Sequence, residues 1–379
     1  MIINKKLKIG VVGLNRGHIH ALNALKASNV ELTAVCDIDR EKADMRKKEY
    51  PDSVKVYYDH KELCADPNVD AVIMSTPIDV HADTVIDALN AGKHVLSEVI
   101  VATTIDDIYR IGEAIKKSGK TYMMAENYCY IRPLLIVENL IKEGKFGEIF
   151  YAESDYLKDF QEYHPNFPNI GGWRQGTYFG RKGHPYITHS LGPLLHIMKE
   201  KVKTVSAIGA GHTFDMVADN TCGLMIETDK GHVITLRSSF VSPRPDQVTY
   251  YSFQGNDGCY QAPKGPTDYH KIFINGVCER GGWNSPGGWK NVYDFDENVD
   301  DNWKRYWNLD DYKDSLDNDT YELYDSGALM MLEDFADCVL NNKPVPISFA
   351  DAANWTAAGL ISADSVNCGG KPLSVPSFE

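Results

Sequence analysis

The stretch that decides the fold lies at residues 8–37 and reads KIGVVGLNRGHIHALNALKASNVELTAVCD. It opens with Lys8–Gly13, a short β-branched apolar run that is typical of a buried strand. A turn with glycine and asparagine follows, then Ile19–Ala27 has helical character and Glu31–Asp37 is typical of a second strand. A strand, a helix and a second strand in this order predict a βαβ unit with parallel strands.

The turn after the first strand has the position of a dinucleotide-binding loop, in which backbone N–H groups at the start of a helix hold a pyrophosphate. It consists of Gly13, Leu14, Asn15, Arg16, Gly17 and His18. Counted as G-x-G-x-x-G from Gly13, the second glycine is replaced by Asn15 and the third by His18. We expect the turn to form nevertheless, because Asn tolerates left-handed backbone and Gly17 permits a close approach of helix and strand.

An acidic residue, Asp37, ends the second strand, where a carboxylate accepts hydrogen bonds from the adenosine ribose diol. The same carboxylate would repel a 2′-phosphate, so the sequence favours NAD over NADP. We therefore predict NAD binding by Asp37 and by residues of the turn, namely Gly13, Asn15, Arg16, Gly17 and His18. The alternative is a Rossmann-like domain that binds no cofactor.

Strands and helices continue to alternate up to Ala125, and the pattern changes near Asn127. Later segments such as Thr221–Thr228 and Val233–Ser239 are typical of strands joined by short turns, which favours an antiparallel sheet. Residues 257–325 read as one long polar connection. We predict an α/β fold: an NAD-binding Rossmann domain at 1–127 with a doubly wound parallel sheet, and a substrate-binding and oligomerisation α/β domain at 128–379 with an open, mostly antiparallel sheet.

Composition narrows the functional classes. The chain has 379 residues, of which 43% are hydrophobic and 24% charged, and its net charge of −14 disfavours a nucleic-acid surface. We expect no membrane span, no secretory leader and a cytoplasmic location. The eight cysteines form no C-x-x-C pair, so we interpret them as reduced thiols. We expect no metal, because His184, His189 and His196 lack a convincing ligand spacing.

A longer motif carries a family resemblance. Residues 69–99, VDAVIMSTPIDVHADTVIDALNAGKHVLSEV, are similar to the glucose–fructose oxidoreductase, inositol dehydrogenase and rhizopine-catabolism (Gfo/Idh/MocA) family. The resemblance covers nearly the whole chain and implies a nicotinamide cofactor, a sugar or cyclitol substrate, and a sheet face that forms oligomer contacts. It also implies that the cofactor site includes Thr76, Pro77, His81, Glu98 and Asn127.

Two positions depart from that family. It has Glu-Lys-Pro where this chain has Glu98-Val99-Ile100, so the family's lysine is missing. Its dehydrogenases place an Asp four residues before a catalytic His. That Asp position is Pro185 here, whereas the His is kept as His189.

A narrower resemblance accounts for these changes. The segments MMAENYCYIRP (123–133), FGEIFYAESDYLKDF (146–160) and HPYITHSLGPL (184–194) resemble the NAD-dependent α-N-acetylgalactosaminidases, a branch of the same family. The resemblance implies transient oxidation of a sugar 3-hydroxyl by tightly held NAD, followed by elimination of the anomeric group. The catalytic residues that it implies are Glu126, Tyr156, Tyr186 and His189. Where the branch has a further His, this chain has Lys158.

Each candidate has a chemical role and a structural alternative. His189 suits a general base, or it is a buried structural histidine. Tyr156 and Tyr186 transfer protons if a cation lowers their pKa, or they are packing aromatics. Lys158 is a replacement cation or a surface lysine. Glu126 lies at the carboxyl edge of the sheet, where ligands bind, and the alternative is a helix N-cap or a structural acid.

Substrate contacts are predicted for Trp173 and Arg174, although the arginine could also pair with an acid. The tryptophan-rich segment 281–307 suits a carbohydrate or a subunit interface equally.

The leading hypothesis is an NAD-dependent oxidoreductase that converts the 3-hydroxyl of a sugar or glycoside to the 3-keto form. A redox-neutral cycle on tightly bound NAD is one version of it. The second is a glycosidase that acts by transient 3-oxidation and elimination. The third is a non-catalytic protein that binds a sugar or a nucleotide. The expected partner is a small-molecule sugar, and the expected assembly a homo-oligomer, dimer or larger.

Overall fold

The computed structural model describes residues 5–163, 181–211, 219, 221–244, 248–265, 267–284, 287–298, 306 and 321–378. The chain forms two compact units. The first comprises Met1–Asn127, Asp325–Ala353 and Phe378–Glu379, and the second Tyr128–Tyr324 and Asn354–Ser377. The expected domain division after residue 127 stays a prediction, since the first unit also takes in part of the C-terminal region.

Strands and helices alternate strictly in the first 127 residues. The strands are β1 Leu7–Val12, β2 Val30–Cys36, β3 Lys55–Tyr57, β4 Ala71–Met74, β5 His94–Ser97 and β6 Tyr122–Met124. The helices are α1 Arg16–Lys26, α2 Arg40–Lys47, α3 His60–Ala65, α4 Ile78–Asn90 and α5 Ile105–Ser118. Helix α5 shows why such segments begin and end where they do: the Thr104 hydroxyl accepts a hydrogen bond from Asp107 N (3.1 Å), and Gly119 ends the helix at φ 64°.

The six strands form one parallel sheet in the order β3-β2-β1-β4-β5-β6. Every residue of β4 is fully buried, as expected for a strand covered on both faces. The strand order reverses between β1 and β4, so the crevice at their carboxyl ends is the ligand-binding position of such sheets. The predicted doubly wound parallel sheet is confirmed.

Residues from the C-terminal third complete the first unit. The ring of Phe349 meets Tyr122 edge-on, with 5.6 Å between ring centroids. A Cβ on Gly112 would lie 2.9 Å from Cε1 of the same phenylalanine. On the other side, Glu333 accepts a hydrogen bond from Ser28 N (2.5 Å). This packing explains why Asp325–Ala353 joins the Rossmann sheet and not the second sheet.

The second unit is built on a nine-stranded sheet in the order β14-β13-β12-β11-β7-β10-β9-β8-β15. Its strands are β7 Ile149–Leu157, β8 Val202–Gly209, β9 Thr221–Thr228, β10 Val233–Ser239, β11 Val248–Gly255, β12 Gly258–Gln261, β13 Lys271–Ile274, β14 Lys290–Asn291 and β15 Leu373–Ser374. Among the described strands of this sheet only the β7–β10 pair is parallel, so the predicted open, mostly antiparallel sheet is confirmed.

Within the described residues, the remaining helices are α6 Arg132–Lys142, α7 Phe160–Tyr163, α8 Thr188–Met198, α9 Tyr321–Asn341 and α10 Phe349–Asn367, with 3₁₀ helices at Asn127–Tyr130 and Val292–Asn298. The expectation of one polar connection at 257–325 was wrong, since β12, β13 and β14 extend the sheet there. Within the described residues, no helix combines the length and the apolar character that a membrane crossing requires.

Candidate functional site

The turn between β1 and α1 depends on two glycines. Gly13 has φ 87°, and a Cβ there would lie 2.3 Å from the carbonyl oxygen of Ser75. A Cβ on Gly17 would lie 2.9 Å from Cγ1 of Val11, so this glycine permits the close packing of helix on strand that we expected. Asn15 has φ −81°, outside the left-handed region. The left-handed residue of the turn is therefore Gly13, and the role expected for Asn15 in the backbone was wrong.

The carboxylate of Asp37 ties this turn to the end of β2. It is 6% exposed, and its Oδ2 accepts a hydrogen bond from Leu14 N (2.8 Å) while its Oδ1 accepts one from Asp39 N (2.9 Å). The next residue, Ile38, is 90% exposed at the same edge of the sheet. The sequence reasoning did not single out this exposed apolar side chain beside the acid.

A second acid, Glu98, follows β5 at this edge. Its Oε1 lies 2.5 Å from Nε2 of His20 and accepts a longer contact (3.4 Å) from Nε of Arg16. Its Oε2 accepts a hydrogen bond from Val99 N (3.3 Å). The carboxylate thus connects the end of β5 with helix α1. The sequence reasoning missed His20, whose only signal was a polar residue one helical turn after Arg16.

The remaining first-unit candidates lie in buried hydrogen-bond networks. His81 places Nδ1 2.9 Å from the Thr76 hydroxyl and Nε2 2.7 Å from the Ser97 hydroxyl, and burial lowers its pKa to about 4. Pro77 is the N-cap of α4, so this network fixes the loop after β4. His18 lies 2.7 Å from the Tyr50 hydroxyl through Nδ1.

Glu126 and Asn127 lie just beyond β6, at the carboxyl edge where Asp37 and Glu98 also end their strands. Glu126 is fully buried, and Asn127 is 6% exposed at the start of a 3₁₀ helix. Their catalytic and cofactor-binding roles stay predictions.

Four predicted catalytic residues come together in the second unit, around His189 in the first turn of α8. The Tyr186 hydroxyl lies 2.9 Å from Nε2 of this histidine. The rings of Tyr156 and His189 are 5.6 Å apart, and Tyr156 meets Tyr186 edge-on at 6.3 Å. Lys158 places its Nζ 5.0 Å from the centre of the Tyr156 ring. Here an imidazole, two phenols and an amine, all capable of proton transfer, share one cluster.

The environment of Lys158 changes its chemistry. Burial lowers the pKa of its ammonium to about 8, because the charged form loses water. The backbone is held by Lys158 N, which donates to Ser239 O (2.9 Å). A lysine with this pKa exchanges protons near neutrality, unlike an ordinary surface lysine.

Two further tyrosines hold His189, and the sequence reasoning missed both. The ring of Tyr128 stacks on the imidazole with 4.3 Å between centroids and 27° between planes. The hydroxyl of Tyr251 donates to the backbone carbonyl of His189. Tyr128 directly follows Glu126-Asn127 in a segment already singled out, so that motif was its only signal.

The described residues do not test the two predicted substrate contacts. Trp173 and Arg174 lie outside the described residues. Within the described part of the chain, no group of three or more His, Cys, Asp or Glu side chains is arranged to hold a metal ion. None of the eight cysteines, all of which lie in the described part of the chain, is joined to another by a disulfide bond.

Two family models match the chain. The model described as "Oxidoreductase family, NAD-binding Rossmann fold" matches residues 7–126. Residues 7–126 are an NAD-binding Rossmann domain of the oxidoreductase family. The model described as "Glycosyl hydrolase 109, C-terminal domain" matches residues 212–379. The resemblance drawn from the sequence motifs, the NAD cofactor and the assignment to NAD-dependent enzymes are confirmed.

Known proteins resemble the chain along its whole length. The alpha-N-acetylgalactosaminidase of Shewanella oneidensis is 25% identical, over 98% of this chain and 85% of the relative. The solved oxidoreductase domain protein from Kribbella flavida has a TM-score of 0.80 at 20% identity, covering 98% and 100% of the two chains. A levoglucosan dehydrogenase solved with NADH and L-sorbose has a TM-score of 0.79 at 19% identity, covering 99% and 100%. The two solved structures establish the two-domain fold.

The Rossmann domain of this chain fits NAD by its own geometry. The backbone of Gly13 passes so close to Ser75 that a Cβ there would clash, and helix α1 begins directly after the turn without a side-chain cap from Asn15. Asp37 places a carboxylate at the end of β2, where a dinucleotide-binding domain is expected to hold the ribose.

Proposed function

We propose that the protein oxidises the 3-hydroxyl of a sugar or glycoside to the ketone, with NAD as the hydride acceptor. The observation that carries the proposal is the hydrogen bond between the Tyr186 hydroxyl and Nε2 of His189, inside a cluster of further tyrosines. Oxidation of an alcohol needs a base for the hydroxyl proton, and this pair supplies one.

In this proposal each side chain around His189 has its own role in one proton transfer. Nε2 of His189, or Tyr186 through it, takes the proton of the sugar hydroxyl as the C–H bond breaks. Tyr128 and Tyr251 hold the imidazole in place by stacking and by a backbone hydrogen bond. The ammonium of Lys158 stabilises negative charge on Tyr156. When bound, NAD supplies the two-electron acceptor for the hydride.

Residues of the first unit would bind the cofactor, and those of the second unit would bind the sugar. Turn residues Gly13, Asn15, Arg16 and Gly17 face the pyrophosphate in this proposal, and Asp37 the ribose. Support comes from the tight turn at Gly13, where a Cβ would clash with Ser75, and from the position of the Asp37 carboxylate. Trp173 and Arg174 are kept as proposed substrate contacts on the sequence motif alone.

A glycosidase is the second candidate, and the match of residues 212–379 to the glycosyl hydrolase 109 C-terminal domain favours it. A ketone at C-3 acidifies the C-2 proton, so a base removes that proton and the C-1 substituent leaves. Water then adds at C-1, and hydride return restores the alcohol. Lys158 favours the simple oxidoreductase, since it stands where the glycosidase branch has histidine.

One incubation separates these candidates. Purified protein and NAD are mixed with glucosides, galactosides and N-acetylhexosaminides in heavy water, and the products are followed by NMR. A 3-keto glycoside with an intact glycosidic bond supports the oxidoreductase. Free sugar with deuterium at C-2 and no net NADH supports the glycosidase. If no substrate of either kind reacts while NAD binds, the proposed chemistry is wrong.

We also propose a cytoplasmic homo-oligomer. Eight free thiols suit a reducing compartment. Ile208 and Met225 are 68% and 60% exposed, and the strand register places both on one face of the second sheet. Met225→Glu should lower the mass measured by light scattering if this face forms the interface. An unchanged mass would contradict that use of the face.

A further inference from the structure

We propose that His20 is a positioning residue of the NAD site, which acts by holding the Glu98 carboxylate and through it the Arg16 side chain. The inference deepens the proposed function but rests only on NAD binding, which is measured without any sugar. His20 contacts Glu98, so its effect on the NAD site would pass through that carboxylate.

The geometry singles out this histidine among the first-unit histidines. His20 lies four residues after Arg16 on α1, so both side chains project from the same face of the helix. It is fully buried, and its Nε2 lies 2.5 Å from Oε1 of Glu98. Its Nδ1 is also buried, without a hydrogen-bond partner in the described part of the chain.

That arrangement fits one tautomer of the histidine. Nδ1 has no hydrogen-bond partner in the described part of the chain, whereas Nε2 lies against Glu98, so the tautomer that makes the contact carries its proton on Nε2 and donates it to the carboxylate. The same carboxylate accepts from Arg16 and from Val99 N.

The orientation of the Glu98 carboxylate matters because a negative charge that points towards the pyrophosphate position would weaken NAD binding. Glu98 follows β5 at the carboxyl edge of the sheet, with 15% of its side chain exposed, and Arg16 opens α1 with 37% exposed. The start of α1 is the position of the dinucleotide pyrophosphate, which attracts an arginine and repels a carboxylate. Fixing Oε1 against His20 keeps the negative charge on the protein side and orients the guanidinium.

Two substitutions of His20 test its contact with Glu98, because one can keep that contact and the other cannot. Glutamine places an amide nitrogen near the position of Nε2, whereas asparagine places one near Nδ1 and cannot reach Glu98. Both are polar and buried at the same site, so any general packing cost affects them alike. We expect His20→Asn to weaken NAD binding about tenfold and His20→Gln to weaken it less than threefold, measured by calorimetric titration of the full chain.

A control and a second background complete the test. His60 forms a comparable pair with Asp87 (2.9 Å) on the far helix α3, and His60→Asn should leave NAD affinity unchanged. In a Glu98→Gln background, His20→Asn should lose most of its effect, because its target is gone. Equal weakening by both His20 variants, or an undiminished effect of His20→Asn beside Glu98→Gln, would overturn the proposal. If NAD binding behaves as expected while no sugar is oxidised, only the proposed function fails.

Discussion

The Tyr186 hydroxyl and Nε2 of His189 form a hydrogen bond of 2.9 Å across a single turn of chain. The tyrosine lies just before α8 and the histidine in its first turn, so the helix start fixes both side chains together. Because Nε2 is shared with the phenol, a proton that reaches one of these groups can pass to the other. In the proposed function this pair is the centre of proton transfer.

Removing that hydroxyl tests its role. We expect Tyr186→Phe to lower kcat/KM by about tenfold to hundredfold, the usual scale of a lost proton-transfer partner, without changing NAD affinity. Steady-state kinetics and an NAD titration measure the two quantities. Tyr269→Phe, on a half-exposed tyrosine of the second unit, is the matched control and should leave both unchanged. Full activity in Tyr186→Phe would remove this pair from the mechanism.

The stack of Tyr128 on His189 supplies a second prediction. Edge and face contacts between aromatic rings contribute on the order of 1 kcal/mol beyond burial. We therefore expect Tyr128→Leu to lower kcat by about twofold to tenfold, since the imidazole gains freedom, while Tyr128→Phe keeps most of the rate. Stopped-flow or steady-state rates of the two variants give the comparison, and equal losses in both would mean that the ring is not what matters.

Gly13 gives a prediction on the cofactor turn. Its φ is 87°, and a Cβ would lie 2.3 Å from Ser75 O. Gly231 has φ 85° with open space around it. Alanine at either position pays the left-handed backbone cost of about 1–2 kcal/mol, but only Gly13→Ala adds the clash.

We expect Gly13→Ala to lower the free energy of unfolding by about 3 kcal/mol or more and to abolish NAD binding. Gly231→Ala should cost about 1 kcal/mol and bind NAD normally. Urea denaturation and calorimetry provide both readouts. Similar losses of stability in the two variants would show that the backbone at Ser75 moves aside.

Some strands of the fold could be predicted from the sequence, and others could not. The runs Lys8–Gly13 and Glu31–Asp37 predicted the parallel sheet because β-branched residues buried on both faces leave a local pattern. Strands β12 to β14 left none, since each has only two to four residues. Each pairs with the strand before it, β12 with β11, β13 with β12 and β14 with β13, so its order comes from its neighbour in the sheet and not from a pattern of its own.

The candidate site likewise contains residues that were predicted from the sequence and residues that were not. Tyr186 and His189 were found because both lie in one short segment, residues 184–194, that resembles a known family. Tyr128 lies 61 positions before His189, and the stack between them exists only in the folded chain. Likewise, His20 meets Glu98 across 78 positions. Contacts of this range arise from the order of strands in a sheet, which no local spacing encodes.

The buried network at His81 predicts a pH dependence of stability. Burial lowers the pKa of this histidine to about 4, below its value of 6.5 in an unfolded chain. The unfolded state therefore binds a proton first as the pH falls, so stability present above pH 6.5 is lost towards pH 4. This group alone should cost about 2 kcal/mol by pH 5.

Urea denaturation of wild type and His81→Gln at pH 7.5 and pH 5 isolates that contribution from other groups. The variant is expected to be less stable at pH 7.5, but to lose less stability on acidification. Parallel pH dependences in the two proteins would place the titration elsewhere.

Lys158 predicts the pH dependence of the reaction itself. Burial lowers its pKa to about 8, and its Nζ lies 5.0 Å from the Tyr156 ring. The amine is a cation below pH 8 and neutral above it, so its support for a phenolate on Tyr156 is lost as the pH rises. We expect kcat/KM to fall along an alkaline limb near pH 8, and we expect Lys158→Met to lack that limb and to run about tenfold slower below it.

The control for this profile is another lysine that lies over a tyrosine of the same sheet. Lys264 places its Nζ 4.1 Å from the Tyr250 ring, but its side chain is 60% exposed. Lys264→Met should therefore keep both the rate and the limb. Lys158→Arg keeps the charge at all accessible pH values, so its profile should show no alkaline limb near pH 8. An alkaline limb near pH 8 that persists in Lys158→Met would assign the titration to a different side chain and return Lys158 to a structural role.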